Sequence, residues 1–360
     1  MNGVLTRPFD CVQADRTDEV RAIVDATGFN FVSIKLSSLF EPGSSSLSLR
    51  PSTSALLAQP STSTASPADQ LRALLAPLPP TARASVTAAL LSTALHRTAV
   101  ARGHATLLTG ETSTRLAIRT IAGMALGRGG SMGEEVGWEF ESAAGVLQCR
   151  PLRGVVDAEV RYYNRTKGLD WLERARPSDG VEPKKAGIDA VSEDFINNLE
   201  ATFASTVSTV LRTAHKLGLR TNHDRLQPTM SPAGATCPLC GLPSQLGAET
   251  WRSAITISSL IDGGPAERAE EGVAAGVEGG EARALAPLLC YGCLLNWQGA
   301  QQAAKRPAAA GASAADDPTV PLPAYVAEAA GRRWASAGEV VGERTIGVDQ
   351  LRTEVEQFLL

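Results

Sequence analysis

Two Cys-x-x-Cys pairs, CPLC at residues 237–240 and CYGC at 290–293, constrain the fold of this chain more than any other feature. Two pairs of thiolates form a closed tetrahedral set, so segments separated by residues 241–289 are expected to meet in space. Gly241 follows one pair and Gly292 lies inside the other, which lets the backbone turn tightly around the sulfurs. Cys237, Cys240, Cys290 and Cys293 would fill every position around a zinc ion, leaving none for substrate, so such a zinc would be structural. An iron–sulfur cluster or independent thiols fit the same four residues. Of the remaining cysteines, Cys11 stands alone and Cys149 lies in LQCRPLR beside Arg150 and Arg153. Cationic neighbours favour a reactive thiolate there, whereas the apolar run around it favours simple packing.

The chain has 360 residues, 43% of them hydrophobic, enough for one substantial core and a smaller satellite. Only 5% are aromatic, and 33 Gly and 21 Pro imply that part of the length stays outside any core. No run of about 18 apolar residues occurs, and the first residues do not open a basic and then apolar leader. A cytoplasmic protein without a membrane span is the expectation. Residues 81–228 hold 19 Lys/Arg and 16 Asp/Glu (+3), while residues 251–360 hold 9 and 14 (−5). Any nucleic-acid contact is therefore expected in the middle of the chain.

Residues 17–36, TDEVRAIVDATGFNFVSIKL, read as a helix and a following strand, half of a βαβ unit whose preceding strand is missing. Residues 41–66, rich in Ser, Thr and Pro, read as a disordered insertion. Ser66-Pro67 caps a helix running to about Leu78, and a second helix spans residues 81–101. A buried strand at 105–108, a polar glycine-rich loop at 127–137 and a short strand running into a helix over 147–169 come next. Residues 192–216 read as one helix with Phe195, Leu199, Phe203, Val207, Val210 and Leu211 on its apolar face. The expected division is an α/β domain over 1–228, a cysteine module over 229–300 with 263–288 disordered, and a linker and tail over 301–360.

The stretch LLTGETSTRLAIR at 107–119 joins a strand to a helix through Gly110 and three hydroxyl residues. Thr112, Ser113 and Thr114 either cap the helix or, with free N–H groups at its start, hold an anion such as a nucleotide phosphate. Arg115 and Arg119, one turn apart, would add cationic ligands to that site. Arg150, Arg153, Arg161, Arg165 and Lys167 interleave with Tyr162 and Tyr163, a mixture able to grip an RNA backbone and stack on a base. A solvated charged helix face would have the same composition. The four histidines, His96, His104, His215 and His223, show no metal-ligand spacing.

TGETSTRLAIR, ALGRG (125–129), RPLRGVVDAEVRYYNR (150–165), FASTVSTVLRT (203–213), the two cysteine pairs and LPAYVAEA (322–329) stand in the order found in the cytoplasmic tRNA 2-thiolation protein 2 family, which the chain resembles. The resemblance implies an α/β fold like that of the PP-loop ATP pyrophosphatases, with a parallel sheet flanked by helices and a zinc-ribbon-like module. It implies work on the wobble uridine of cytosolic tRNAs beside a catalytic thiolase partner that takes sulfur from a ubiquitin-like carrier. No SGG segment occurs near the start, so the phosphate-cradling loop has no counterpart and the chain reads as N-terminally truncated. ATP chemistry by this chain alone is accordingly doubtful, and no catalytic residue is assigned. The expected role is an accessory subunit binding tRNA and partner; the alternative is a zinc-containing scaffold without RNA contact.

Overall fold

The computed structural model describes residues 2–6, 16–41, 47–50, 56–61, 64–172, 187–214, 216–217, 236–244, 248, 283–304 and 319–337. Strand β1 (Asn2–Thr6) is followed by α1 (Thr17–Ala26), β2 (Asn30–Ile34) and a 3-10 turn at Leu36–Phe40. Then come β3 (Leu47–Arg50), β4 (Leu57–Pro60), α2 (Pro67–Leu75), α3 (Pro80–Ala101) and β5 (Thr106–Leu108). Helices α4 (Ser113–Ala125) and α5 (Met132–Val136) precede β6 (Glu139–Glu141), β7 (Leu147–Cys149) and α6 (Asp157–Lys167). Helices α7 (Ile188–Thr202) and α8 (Thr206–Ala214), β8 (Arg283–Ala284), α9 (Tyr291–Ala304), β9 (Val320–Pro321) and α10 (Ala324–Ala337) complete the described chain.

The fold is α/β, but its strands form three small sheets where one parallel sheet was expected. Strands β1 and β2 pair in parallel, β5-β7-β6 is mixed, and β8-β4-β3-β9 is antiparallel. The strand expected to be missing before α1 is present, with Asn2 opposite Asn30 and Thr6 opposite Ile34. Five residues, NGVLT, carry little strand signal of their own; the ladder to β2 makes them a strand.

Residues 41–66, expected to be a disordered insertion, contain two strands. LSLR pairs antiparallel with LAQP, and these strands pair in turn with β9 and β8 from the far end of the chain. Leu49, Leu56 and Ala58 are buried in the main core, so the described part of this segment is not a disordered insertion. In LSLR the leucines alternate with polar residues, which is strand spacing even within a Ser-rich composition. Leu49→Ala is expected to cost about 2–5 kcal/mol, read as a shift of the denaturant midpoint. Of the acidic stretch 263–288, residues 283–288 form β8 and a 3-10 turn, and 263–282 lie outside the described residues.

The main core draws on α2 (Leu71, Leu74, Leu75), α3 (Val86, Leu90), three of the paired cysteines, Trp297 of α9 and Val326 of α10. The cysteine segments share this core and do not form a separate one. A second core joins α4 (Leu116, Ile118) to Met132, Val136, Ile196, Val207 and Leu211. The expected loop at 127–137 thus contains a short helix that buries Met132 and Val136. The expected helix over 192–216 is two helices. Phe203 is extended (φ −130°, ψ 91°) and 62% exposed, and the Glu200 carboxylate accepts from the Val207 N–H at 3.0 Å. That carboxylate caps the start of α8, where a side-chain acceptor replaces the missing helical one.

Candidate metal centre and adjoining cavity

The tight turn at Thr236–Pro243 presents Cys237 and Cys240, and the first turn of α9 presents Cys293 beside Cys290. The Gly241 N–H donates to the Cys237 carbonyl at 2.9 Å, and Gly241 takes φ +71°, a conformation that costs glycine little. The four sulfurs lie within 4.8 Å of one another, and Cys240 Sγ is 3.8 Å from Cys290 Sγ. A tetrahedron with metal–sulfur bonds of about 2.3 Å has edges of about 3.8 Å, so the set has single-ion dimensions.

Burial resists ionisation of Cys237, yet S–H donation from Cys240, Cys290 and Cys293 holds it well below the ordinary thiol range. The same contacts with Cys237 push Cys240 and Cys293 well above it. Without a metal the cluster keeps part of its protons; a divalent ion would displace them. Zinc fits this all-thiolate set, as the closed structural centre that the sequence implies.

The ALGRG segment packs onto the second knuckle. A Cβ on Gly292 would lie 2.5 Å from Arg128 Cγ, and one on Gly127 (φ +69°) would lie 2.5 Å from the Tyr291 ring. Arg128 Nε donates to Glu135 Oε1 at 2.8 Å and its Nη1 to Ser85 Oγ at 3.3 Å. Burial disfavours its charge, but Glu135 and the nearby cysteines keep the guanidinium firmly protonated.

Between α3, α4 and the ends of β5 and β7 lies a cavity of about 320 Å³, with Cys240 in one wall. Glu111 at its floor is bonded to Arg150 Nε at 2.9 Å and paired with Arg119. Burial opposes its ionisation, but the Arg119 and Arg150 guanidinium groups hold the carboxyl below the ordinary glutamate range. His96 is kept neutral chiefly by burial: its Nδ1–H donates to the Ser92 carbonyl at 2.8 Å and Nε2 has no partner among the described residues.

The sequence-selected residues fall in different places. Thr112, Ser113 and Thr114 are buried at the start of α4, reached through Gly110. Thr112 Oγ1 accepts from the Arg115 N–H at 3.4 Å and donates to the Asp157 carboxylate. The Ser113 N–H donates to the Val155 carbonyl at 2.9 Å, and Thr114 Oγ1 accepts from the Asp157 N–H at 3.1 Å. Asp157 is the negative charge at this helix end, and Arg115 and Arg119 are paired with Glu193 and Glu111. These contacts cap α4 and lock its start to α6.

Arg150, expected among the tRNA-binding cations, is buried. It is 3% exposed and also donates to the Gly137 carbonyl at 2.9 Å, which closes β7 onto the loop before β6. Arg153 donates to the Val136 carbonyl at 2.6 Å and lies over the Trp138 ring at 5.6 Å. Arg161, Tyr163, Arg165 and Lys167 are exposed on α6, with Tyr162 (73%) and Tyr163 (57%) the most accessible of its aromatics and Lys167 Nζ 6.0 Å from the Tyr163 ring. Cys149 is half-buried in β7; Cys11, His215 and His223 lie outside the described residues. Sequence reasoning missed Glu111's double pairing and every contribution of α10. Arg150 lies 39 residues from Glu111, and the partners of Tyr325 and Arg333 lie 45 or more residues away, beyond the reach of local patterns.

Comparison with known proteins bears out the family resemblance. Residues 187–295 match the model of the family described as cytoplasmic tRNA 2-thiolation protein 2. The rat protein of that name is 38% identical over 144 residues (39% of this chain, 26% of the relative), the mouse protein 33% over 213 residues (54% and 40%). The fission-yeast protein is 31% identical over 160 residues, covering 42% of this chain and 37% of its own length. The chain thus spans well under two thirds of the curated relatives it matches. A solved structure, U34-tRNA thiolase NcsA from Methanococcus maripaludis with its 4Fe-4S cluster, overlaps 60% of each chain at 12% identity and TM-score 0.39. Among the described residues no helix is long and apolar enough to cross a membrane.

Proposed function

We propose that this chain, whose residues 187–295 carry the signature of the cytoplasmic tRNA 2-thiolation protein 2 family, is an accessory subunit in the 2-thiolation of tRNA wobble uridine. In this reading it holds tRNA and a catalytic thiolase partner, which receives sulfur from a ubiquitin-like carrier in the cytoplasm. A structural zinc at Cys237, Cys240, Cys290 and Cys293 organises its core.

The observation that carries the accessory role is the state of the charged groups around the cavity. Arg119 and Arg150 are bound to Glu111, Arg128 to Glu135 and Arg115 to Glu193. These arginines are engaged within the protein, and a nucleotide triphosphate would have to break those pairs to be held by them. On α6, exposed cations stand beside exposed tyrosines: Arg161, Arg165 and Lys167 can contact phosphates and Tyr163 can stack on an unpaired base.

Binding of labelled tRNA to the full chain, followed by fluorescence anisotropy across a salt series, tests this. Changing Arg161, Arg165 and Lys167 to Ala should weaken binding and flatten the salt dependence by roughly two units of slope, given about 0.7–0.9 per phosphate contact. Tyr163→Ala should cost about 1–3 kcal/mol if a base stacks there. Unaltered affinity and slope in the triple variant would remove α6 as the tRNA surface and favour the scaffold reading.

A further inference from the structure

Helix α10 lies outside the matched segment 187–295, yet it bonds to both cysteine knuckles. Tyr325 Oη donates to the Leu239 carbonyl, between Cys237 and Cys240, at 2.8 Å. Arg333 Nη1 donates to the Thr236 carbonyl at 3.2 Å, the Ser244 hydroxyl at 2.9 Å and the Leu288 carbonyl at 2.6 Å. Thr236 precedes the first cysteine of one pair and Leu288 stands two residues before the first cysteine of the other. One guanidinium therefore bridges the two segments that must stay together for four sulfurs to share an ion.

We propose that Arg333, carried on α10, is a positioning residue for the metal centre: it clamps the two knuckles together and places a positive charge beside the thiolates. This rests on reading the four cysteines as a metal site. A divalent ion with four thiolates carries a net charge of −2, and burying that charge is costly unless cations lie close. Burial disfavours the Arg333 charge, while Cys237 and Cys290, one from each pair, favour it; Arg128, just beyond α4, is favoured in the same way by Glu135 and by Cys240, Cys290 and Cys293. Arg128 is paired with its own carboxylate, Glu135, at 2.8 Å, whereas Arg333 bonds directly to the backbone of both knuckles. The side chain also ties residues 320–334 of the expected tail into the core, where Val326 and Ala330 are fully buried.

The test is metal release from the full chain to a chromophoric chelator, with the dissociation constant from chelator competition. Outer-shell partners of metal ligands typically change affinity by about 10–100-fold, and Arg333→Gln is expected to weaken metal binding by that factor. Arg333→Lys, which keeps the charge without the fork of donors, should fall between wild type and Arg333→Gln. Leu116→Ala, a cavity in the second core, controls for general loss of stability and should leave metal affinity within about twofold of wild type. Unchanged affinity in Arg333→Gln, or equal loss in Leu116→Ala, would overturn the clamp while leaving the metal site standing. A wild-type chain that retains no metal would overturn both.

Discussion

Changing Cys237 and Cys290 together to Ser is expected to release the bound metal and to unfold the main core. Together the two substitutions take one ligand from each pair, and a two-sulfur remnant holds an ion far less tightly. Structural zinc contributes apparent binding energies of about 10–16 kcal/mol in small zinc modules. A typical domain has a total stability of only about 5–15 kcal/mol. Three of the four cysteines sit in the same cluster as Leu49, Leu90 and Val326, so the loss should reach α2, α3 and the β3–β4 hairpin. Chelation of the wild-type chain should have the same effect. The measurement is a denaturation midpoint with and without chelator, alongside metal content. A metal-free variant that unfolds cooperatively at the wild-type midpoint would show that the cysteines are only packing.

Glu111→Ala is expected to destabilise the chain by about 3–5 kcal/mol, because it leaves Arg150 buried without its carboxylate. A companion Arg150→Met change should restore much of that loss, since removing both charges removes the desolvation cost with them. The pair also sets a pH dependence. Burial resists ionisation of Glu111, but Arg119 and Arg150 together hold its carboxyl below the ordinary range, so the folded chain binds this proton less readily than the unfolded one. Its stabilising contribution is therefore complete above the ordinary glutamate pKa, about 4.3, and is lost as the pH falls through the lower folded value. The acid limb of the wild-type stability curve should be shallower in the Glu111→Ala, Arg150→Met double variant. An unshifted midpoint for Glu111→Ala would mean that Arg150 finds another anion or reaches water.

The features legible in the sequence are those whose causes are local or whose chemistry allows few alternatives. Ser66 caps α2 as its neighbour Pro67 implies, with its Oγ accepting from the Asp69 N–H at 3.2 Å. The Val86 and Leu90 spacing announces α3, and four cysteines in two pairs announce a site that joins distant segments. What escaped depends on partners elsewhere in the chain. Strand β1 is defined by β2, and β3 and β4 by each other and by β8 and β9. Arg150 looked like a surface cation because it sits among exposed ones. Its burial depends on Glu111, 39 residues earlier, and on the Gly137 carbonyl. Thr112 and Thr114 meet Asp157 from another helix, so a cluster with the composition of an anion site already has its carboxylate. Composition shows which groups are available, and tertiary packing decides which of them face solvent.

We propose that one closed, four-thiolate metal ion organises the main core and one wall of the cavity. Elemental analysis of the purified full chain, combined with X-ray absorption at the metal edge, tests it most directly. The expected result is about one zinc per chain, with four sulfur neighbours at about 2.3 Å and no iron. Iron with inorganic sulfide, or a folded chain carrying no metal, would contradict it.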